Sequence, residues 1–316
     1  MINYGCRNMK KAKSGKTNSP FRYPGGKFYA RKLILACMPV HHKYCEPFAG
    51  GSSIFFAKES VKYNILNDKD EELINCYIHI RDEVENLIDS LSGIYATKEL
   101  HHYYKNEFKP KNDLERAMRW FYLNRTSYSG IMKPANCYWG YGEKYSMRPE
   151  NWPAHLRTVS DKLQNVELKN QDFEELIDIL DDDYFLFIDP PYFKADQDKF
   201  YSCAFSRADH FRLNQVLYRN RHRFKFLLTY DNVKEIRKLY HWCTSMLDKE
   251  WNYTISRTDD QKNGKKLKQG YKSNRYKGKE VFISNYNVTE IKGIIPLKNN
   301  YNPCQLTLCE SLSTYG

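Results

Sequence analysis

At positions 189–192 the chain reads D-P-P-Y: an acid, two residues without a backbone donor, and an aromatic ring. The prolines fix φ twice and remove two N–H groups, so the carbonyls here are acceptors that no strand partner claims. Asp189 and these carbonyls make a rigid set of acceptors beside the stacking face of Tyr192. The plain alternative is a strand-ending turn with a solvated Asp. A second group stands at E-P-F-A-G-G-S, residues 46–52, where glycines let backbone approach a ligand as a strand turns into a helix. Asp68 follows 22 positions after Glu46, where an acid can accept both hydroxyls of a ribose. Neither G-x-G-x-x-G nor G-x-x-x-x-G-K-[ST] occurs, which disfavours a dinucleotide or a triphosphate. What remains is a nucleoside cofactor with little phosphate, a description that S-adenosyl-L-methionine fits. Upstream, the Pro-Gly-Gly of P-F-R-Y-P-G-G-K makes a compact turn between Tyr23 and Lys27, so both side chains can reach one pocket.

These groups need a scaffold, and the periodicity supplies one. Strands are predicted over 42–48, 63–67, 166–169, 185–188 and 224–229, with helices over 52–59 and 209–220. Residues 251–258 and 280–285 read as paired antiparallel strands around a lysine-rich loop. Between 71 and 163 the pattern is mainly helical, then rich in Tyr, Asn and Gly over 124–145. Alternating β and α elements favour an α/β fold, a mostly parallel sheet with helices on both faces, interrupted by a helical insertion. The expected organisation is a basic arm at 1–19, a discontinuous catalytic unit at 20–70 and 164–295, the insertion at 71–163, and a tail at 296–316.

A formal charge of +12 and 26 tyrosines suggest a surface that meets a polyanion and stacks on bases. Nine cysteines with no C-x-x-C pair and an odd count argue against a zinc site or a disulfide framework and fit reduced thiols in a cytoplasmic protein. No stretch of 18 apolar residues occurs, so no membrane association is expected.

Together the motifs resemble the Dam-like N6-adenine DNA methyltransferases. The matching stretches are P-F-R-Y-P-G-G-K, E-P-F-A-G-G, N-D at 67–68, F-Y-L-N-R from Phe121, D-P-P-Y, and L-L-T-Y-D-N from Leu227. They stand in family order over roughly 20–286. The resemblance implies a Rossmann-like methyltransferase mixed sheet with a small helical target-recognition insertion. It implies S-adenosyl-L-methionine as cofactor, flanked by Tyr23 and Lys27, with Glu46, Phe48 and Gly50 on its methionine side, Asp68 at the ribose, and Asp172 with Phe173 beside its adenine. An Asp at a helix N-cap followed by a core Phe is the competing reading of that last pair. Tyr23 stands where the family often carries tryptophan, and Thr126–Gly130 with Lys133 departs from the version expected in Dam itself, so a GATC target is not implied.

In that chemistry the exocyclic amine of adenine is a poor nucleophile, its lone pair delocalised into the ring. Asp189 and the Pro190 carbonyl each accept one amine hydrogen, Pro191 holds the turn, and Tyr192 stacks on a base rotated out of the duplex. No metal is needed. For contacts to double-stranded DNA the candidates are Asn124, Arg125, Tyr128, Ser129 and Lys133 in the insertion, and Lys265, Lys266, Lys268 and Arg275 in the basic loop. Other readings stay open: RNA adenine or cytosine N4 as the methylated amine, glutamine methylation in protein, or an idle DNA-binding module. A cognate restriction endonuclease as partner and a monomeric state are further expectations.

Overall fold

The computed structural model describes residues 15–144, 146–194, 203, 205–252, 277–291, 294–296 and 306–308. Its centre is a sheet in the order β3-β2-β1-β4-β5-β7-β6. The strands are β1 (Lys43–Glu46), β2 (Tyr63–Asn67), β3 (Val166–Lys169), β4 (Tyr184–Ile188), β5 (Lys225–Asp231), β6 (Ser245–Asn252) and β7 (Lys277–Ser284). The first five are parallel, and β7 runs antiparallel to both of its neighbours. Strand order reverses between β1 and β4, so the carboxyl ends of these adjacent strands open the crevice where ligands of such sheets bind.

All five residues of β4 are buried, because each face of the sheet carries its own core. Phe185 and Phe187 join the core formed with α1 (Arg31–Ala36), α2 (Ser53–Ala57) and α3 (Glu71–Asp82). Leu186 and Ile188 alternate to the opposite core, beneath α8 (Phe173–Ile179), α9 (Arg207–Arg219) and α10 (Lys234–Leu239). Between α3 and α8 lie α4 (Val84–Ser90), α5 (Lys98–Asn106), α6 (Asp113–Thr126) and α7 (Trp152–Leu163). These helices carry the predicted insertion, and one continuous apolar core runs from the sheet into them. Phe21 lies edge-on to Tyr77 of α3 and to Trp120 of α6, at 4.7 Å from each.

The helical and parallel strand segments fall within a few residues of expectation. The last pair of strands does not: β6 begins at Ser245, six residues before the expected start, and pairs Ser245 with Ser284. Its Asp248, Lys249 and Glu250 hide it from an apolar search, as suits an edge strand that must not invite another chain. Among the described residues no helix is long and apolar enough to cross a membrane.

Candidate active site

β4 ends at Ile188, registered with Leu228, so Asp189 and the Pro190 carbonyl lie beyond the last paired residue. Asp189 is held from two sides: Oδ1 accepts the Thr229 hydroxyl at 2.7 Å, and Oδ2 accepts the Lys27 ammonium at 2.8 Å. Lys27 is only 4% exposed. Its ammonium also donates to the Gly25 carbonyl at 3.0 Å and sits 5.0 Å from the centre of the Tyr192 ring. A buried ammonium is tolerated when an anion and further acceptors receive it, and the ring face adds a cation–π contact. Lys27, expected beside the cofactor, thus spends its charge on Asp189 and ties the Pro-Gly-Gly turn to D-P-P-Y.

The turn itself follows from its residues. Pro24 presets φ, Gly25 takes φ +74°, and the Gly26 N–H closes onto the Tyr23 carbonyl at 3.0 Å. Tyr23 lies over the second glycine turn. A Cβ at Gly50 would come within 2.9 Å of the Tyr23 ring, and Gly50 has φ +44°, so a side chain there meets both strain and collision. Asp68 spans this turn: Oδ2 accepts the Gly50 N–H at 2.8 Å and Oδ1 the Asp70 N–H at 3.0 Å. Burial nevertheless raises its carboxyl to about 6. Glu46 is buried, and its Oε1 accepts the Tyr44 hydroxyl at 2.7 Å and the Phe55 N–H at 2.9 Å, which anchors α2. Burial pushes Glu46 up to about 7 against those donors.

Beside these acids stand three aromatic rings. Phe48 lies 5.3 Å from Phe173 and 5.6 Å from Phe205, and the last two are 5.7 Å apart. Asp172 caps α8 by accepting the Glu174 N–H at 3.0 Å, and pairs with Arg212 at 2.6 Å. The capping reading of Asp172 is therefore realised, while Phe173 faces Phe48 across the end of β1. This end offers carboxylate and carbonyl acceptors for hydroxyl and ammonium groups, and flat apolar faces for a heterocycle.

The insertion corrects part of the sequence reading. Asn124 is fully buried. Its amide pairs with both backbone groups of Arg22, accepting the N–H at 2.9 Å and donating to the carbonyl at 2.8 Å. It is a clamp between α6 and the segment carrying Tyr23, and no base edge can reach it. Arg125 is also buried; it donates to the Pro20 carbonyl at 3.3 Å and lies beside Arg22, and burial with that neighbour lowers it to about 10. The reason is position: the last turns of α6 are closed over on every side, from Trp120 to Thr126. Tyr128, Ser129 and Lys133 are half-buried and follow in a loop bracketed by the Tyr128 N–H to the Tyr138 carbonyl and the Gly140 N–H to the Thr126 carbonyl, at 2.8 and 2.9 Å. Ser129 adopts φ +53° at the head of this loop. A Cβ at Gly130 would fall 2.1 Å from the Arg22 carbonyl oxygen, so the loop docks on the same residue that Asn124 holds. Lys265, Lys266, Lys268 and Arg275 lie outside the described residues.

Sequence reasoning assigned nothing to Thr229, Phe205, Asp231 or Glu280. Thr229 and Asp231 alternate with buried apolar residues in L-L-T-Y-D, a signal of one polar face that went unused. Comparison with known proteins bears on the whole. The family model described as D12 class N6 adenine-specific DNA methyltransferase matches residues 23–255. The type II methyltransferase M.MjaIII of Methanocaldococcus jannaschii is 29% identical over 201 residues, 55% of this chain and 68% of that protein. The type II methyltransferase M1.LlaDCHI of Lactococcus lactis is 27% identical over 61% of this chain and 74% of its own length. The DNA adenine methylase of Escherichia coli K12 is 24% identical over 56% of this chain and 66% of its own length.

Proposed function

The chain belongs to the D12 class of N6 adenine-specific DNA methyltransferases, and from that premise we propose that it uses S-adenosyl-L-methionine and acts on an adenine turned out of double-stranded DNA onto Tyr192. The observation that carries this reading is the Asp189 carboxylate, held by Lys27 and Thr229 beyond the end of β4, next to the glycine turn after β1. The groups around that turn fit the cofactor: Asp68 suits ribose hydroxyls, the Phe48, Phe173 and Phe205 rings suit its adenine, and the glycine turn lets the Tyr23 ring lie close over the backbone beside them. When bound, that cofactor supplies an electrophilic methyl group on a cationic sulfur.

The chain's residues do the rest. Lys27 keeps a positive charge against Asp189, so the carboxylate stays a strong acceptor for one amine hydrogen. The Pro190 carbonyl takes the second, which frees the amine lone pair from the ring, and Asp189 is placed to receive the proton that the methylated amine must lose. Thr229 fixes which way the carboxylate faces, so little reorganisation is left for the transition state. Tyr192, with the Lys27 ammonium against its ring, offers the purine a face.

For DNA, the head of the recognition loop at Tyr128, Ser129 and Lys133 is the base-reading candidate, while the buried Arg125 holds the Pro20 carbonyl inside the protein. Residues 71–163 serve as the target-recognition unit. The reading extends to a cytoplasmic monomer acting beside a cognate restriction endonuclease; two relatives are named type II methyltransferases.

The test is direct. The full chain is incubated with methyl-labelled cofactor and either duplex DNA or structured RNA, and the digested nucleosides are identified. N6-methyladenine is expected, whereas N4-methylcytosine or label confined to RNA overturns the substrate. Asp189→Ala lowers turnover by about a thousandfold or more while DNA affinity stays within a few-fold. Equal loss of both would make Asp189 a structural residue.

A further inference from the structure

Two acids at the same end of the sheet have no part in the scheme above. β5 and β7 pair antiparallel with Asp231 opposite Glu280, so both side chains leave one face of the sheet, the face that also carries Thr229. Asp231 faces the chain that leaves D-P-P-Y. Its Oδ1 accepts the Phe193 N–H and its Oδ2 the Lys194 N–H, each at 3.0 Å. The first two backbone donors after Tyr192 thus converge on one carboxylate from the neighbouring strand. Glu280 is 1% exposed and stands among charges from every adjoining element. Lys27 precedes α1, Asp189 and Tyr192 follow β4, Asp231 ends β5, and buried Lys249 lies opposite on β6. Burial raises its carboxyl to about 7. The Lys27 ammonium opposes that rise, and Asp189 and Asp231 add to it.

The prolines determine how the chain enters Tyr192, but they say nothing about how it leaves. We propose that Asp231 is a positioning residue for Tyr192, fixing the backbone on its C-terminal side. The inference rests on the reading of Tyr192 as the platform for the target base. Residue type supports it: only a carboxylate offers two acceptor oxygens to two N–H groups at once, and an amide would set a donor against one of them.

The test uses the full chain and two readouts. Amide hydrogen exchange does not depend on methyl transfer. In Asp231→Asn the Phe193 and Lys194 amides exchange about tenfold faster or more, with protection of the β4 and β5 amides unchanged. Unaltered exchange at 193 and 194 overturns the role of Asp231. In the methylation assay Asp231→Asn loses about tenfold in kcat with KM for DNA little changed, and Asp231→Glu recovers part of it. An unchanged kcat overturns the positioning role. A wild type that methylates no adenine would refute the proposed reaction instead, and the exchange result would still decide for Asp231.

Discussion

At the end of β2, Asp68 receives both of its donors from backbone, the N–H groups of Gly50 and Asp70; at the end of β4, Asp189 receives both from side chains, Lys27 and Thr229. The two acids sit at equivalent ends of parallel strands yet differ in what can dislodge them. Backbone donors survive any substitution that keeps the turn, so the Asp68 end is set by loop geometry and by glycine. Side-chain donors can each be removed by one substitution, and they come from segments remote in sequence. The Asp189 end is therefore the fragile half, dependent on the P-F-R-Y-P-G-G-K turn and β5 being in place together.

The sharpest way to break this contrast is Lys27→Met. It removes a buried charge from Asp189 and should lower kcat by about a hundredfold or more, as loss of a charge-assisted bond in a preorganised site does, while cofactor Kd changes by only a few-fold. A large rise in cofactor Kd with kcat intact would return Lys27 to the cofactor and erase the distinction. Thr229→Val keeps shape and deletes one neutral donor, so kcat should fall by about tenfold, equivalent to roughly 1–1.5 kcal/mol. No change would mean that Lys27 alone orients the carboxylate. The smallest effect tests the other half through pH. Glu46 and Asp68 are raised to about 7 and about 6, and a cationic cofactor favours their ionised forms. Protons then leave on binding, so affinity should rise several-fold from pH 5.5 to 7.5 and level off above. Calorimetry in buffers of different ionisation enthalpy reads the released protons, and a pH-independent Kd would show that neither acid senses the ligand's charge.

Legibility in the sequence followed the same divide. D-P-P-Y, E-P-F-A-G-G and P-G-G are contiguous strings whose residue types restrict the backbone where they stand, so their turns could be read locally. Asp231 lay on the polar face of L-L-T-Y-D, but its partner could not be read, since it meets Glu280 through a β5–β7 register that pairs residues 49 positions apart. Asn124 misled for another reason: an amide suits a base edge and a peptide group equally, and only its burial against Arg22 decides between them. The polar edge strand β6 was misplaced because the search favoured the aromatic and β-branched residues that follow it.

The hold that Asn124 and Gly130 take on Arg22 sets a rule for redesigning target choice. A graft from a relative with another specificity must keep Asn124 and Gly130, and with them the buried Cys137 whose carbonyl faces His101. An exchange that brings a bulkier residue to 130, or an apolar one to 124, would shift the strap bearing Tyr23 and Lys27, and the hybrid would find its new site yet methylate it slowly.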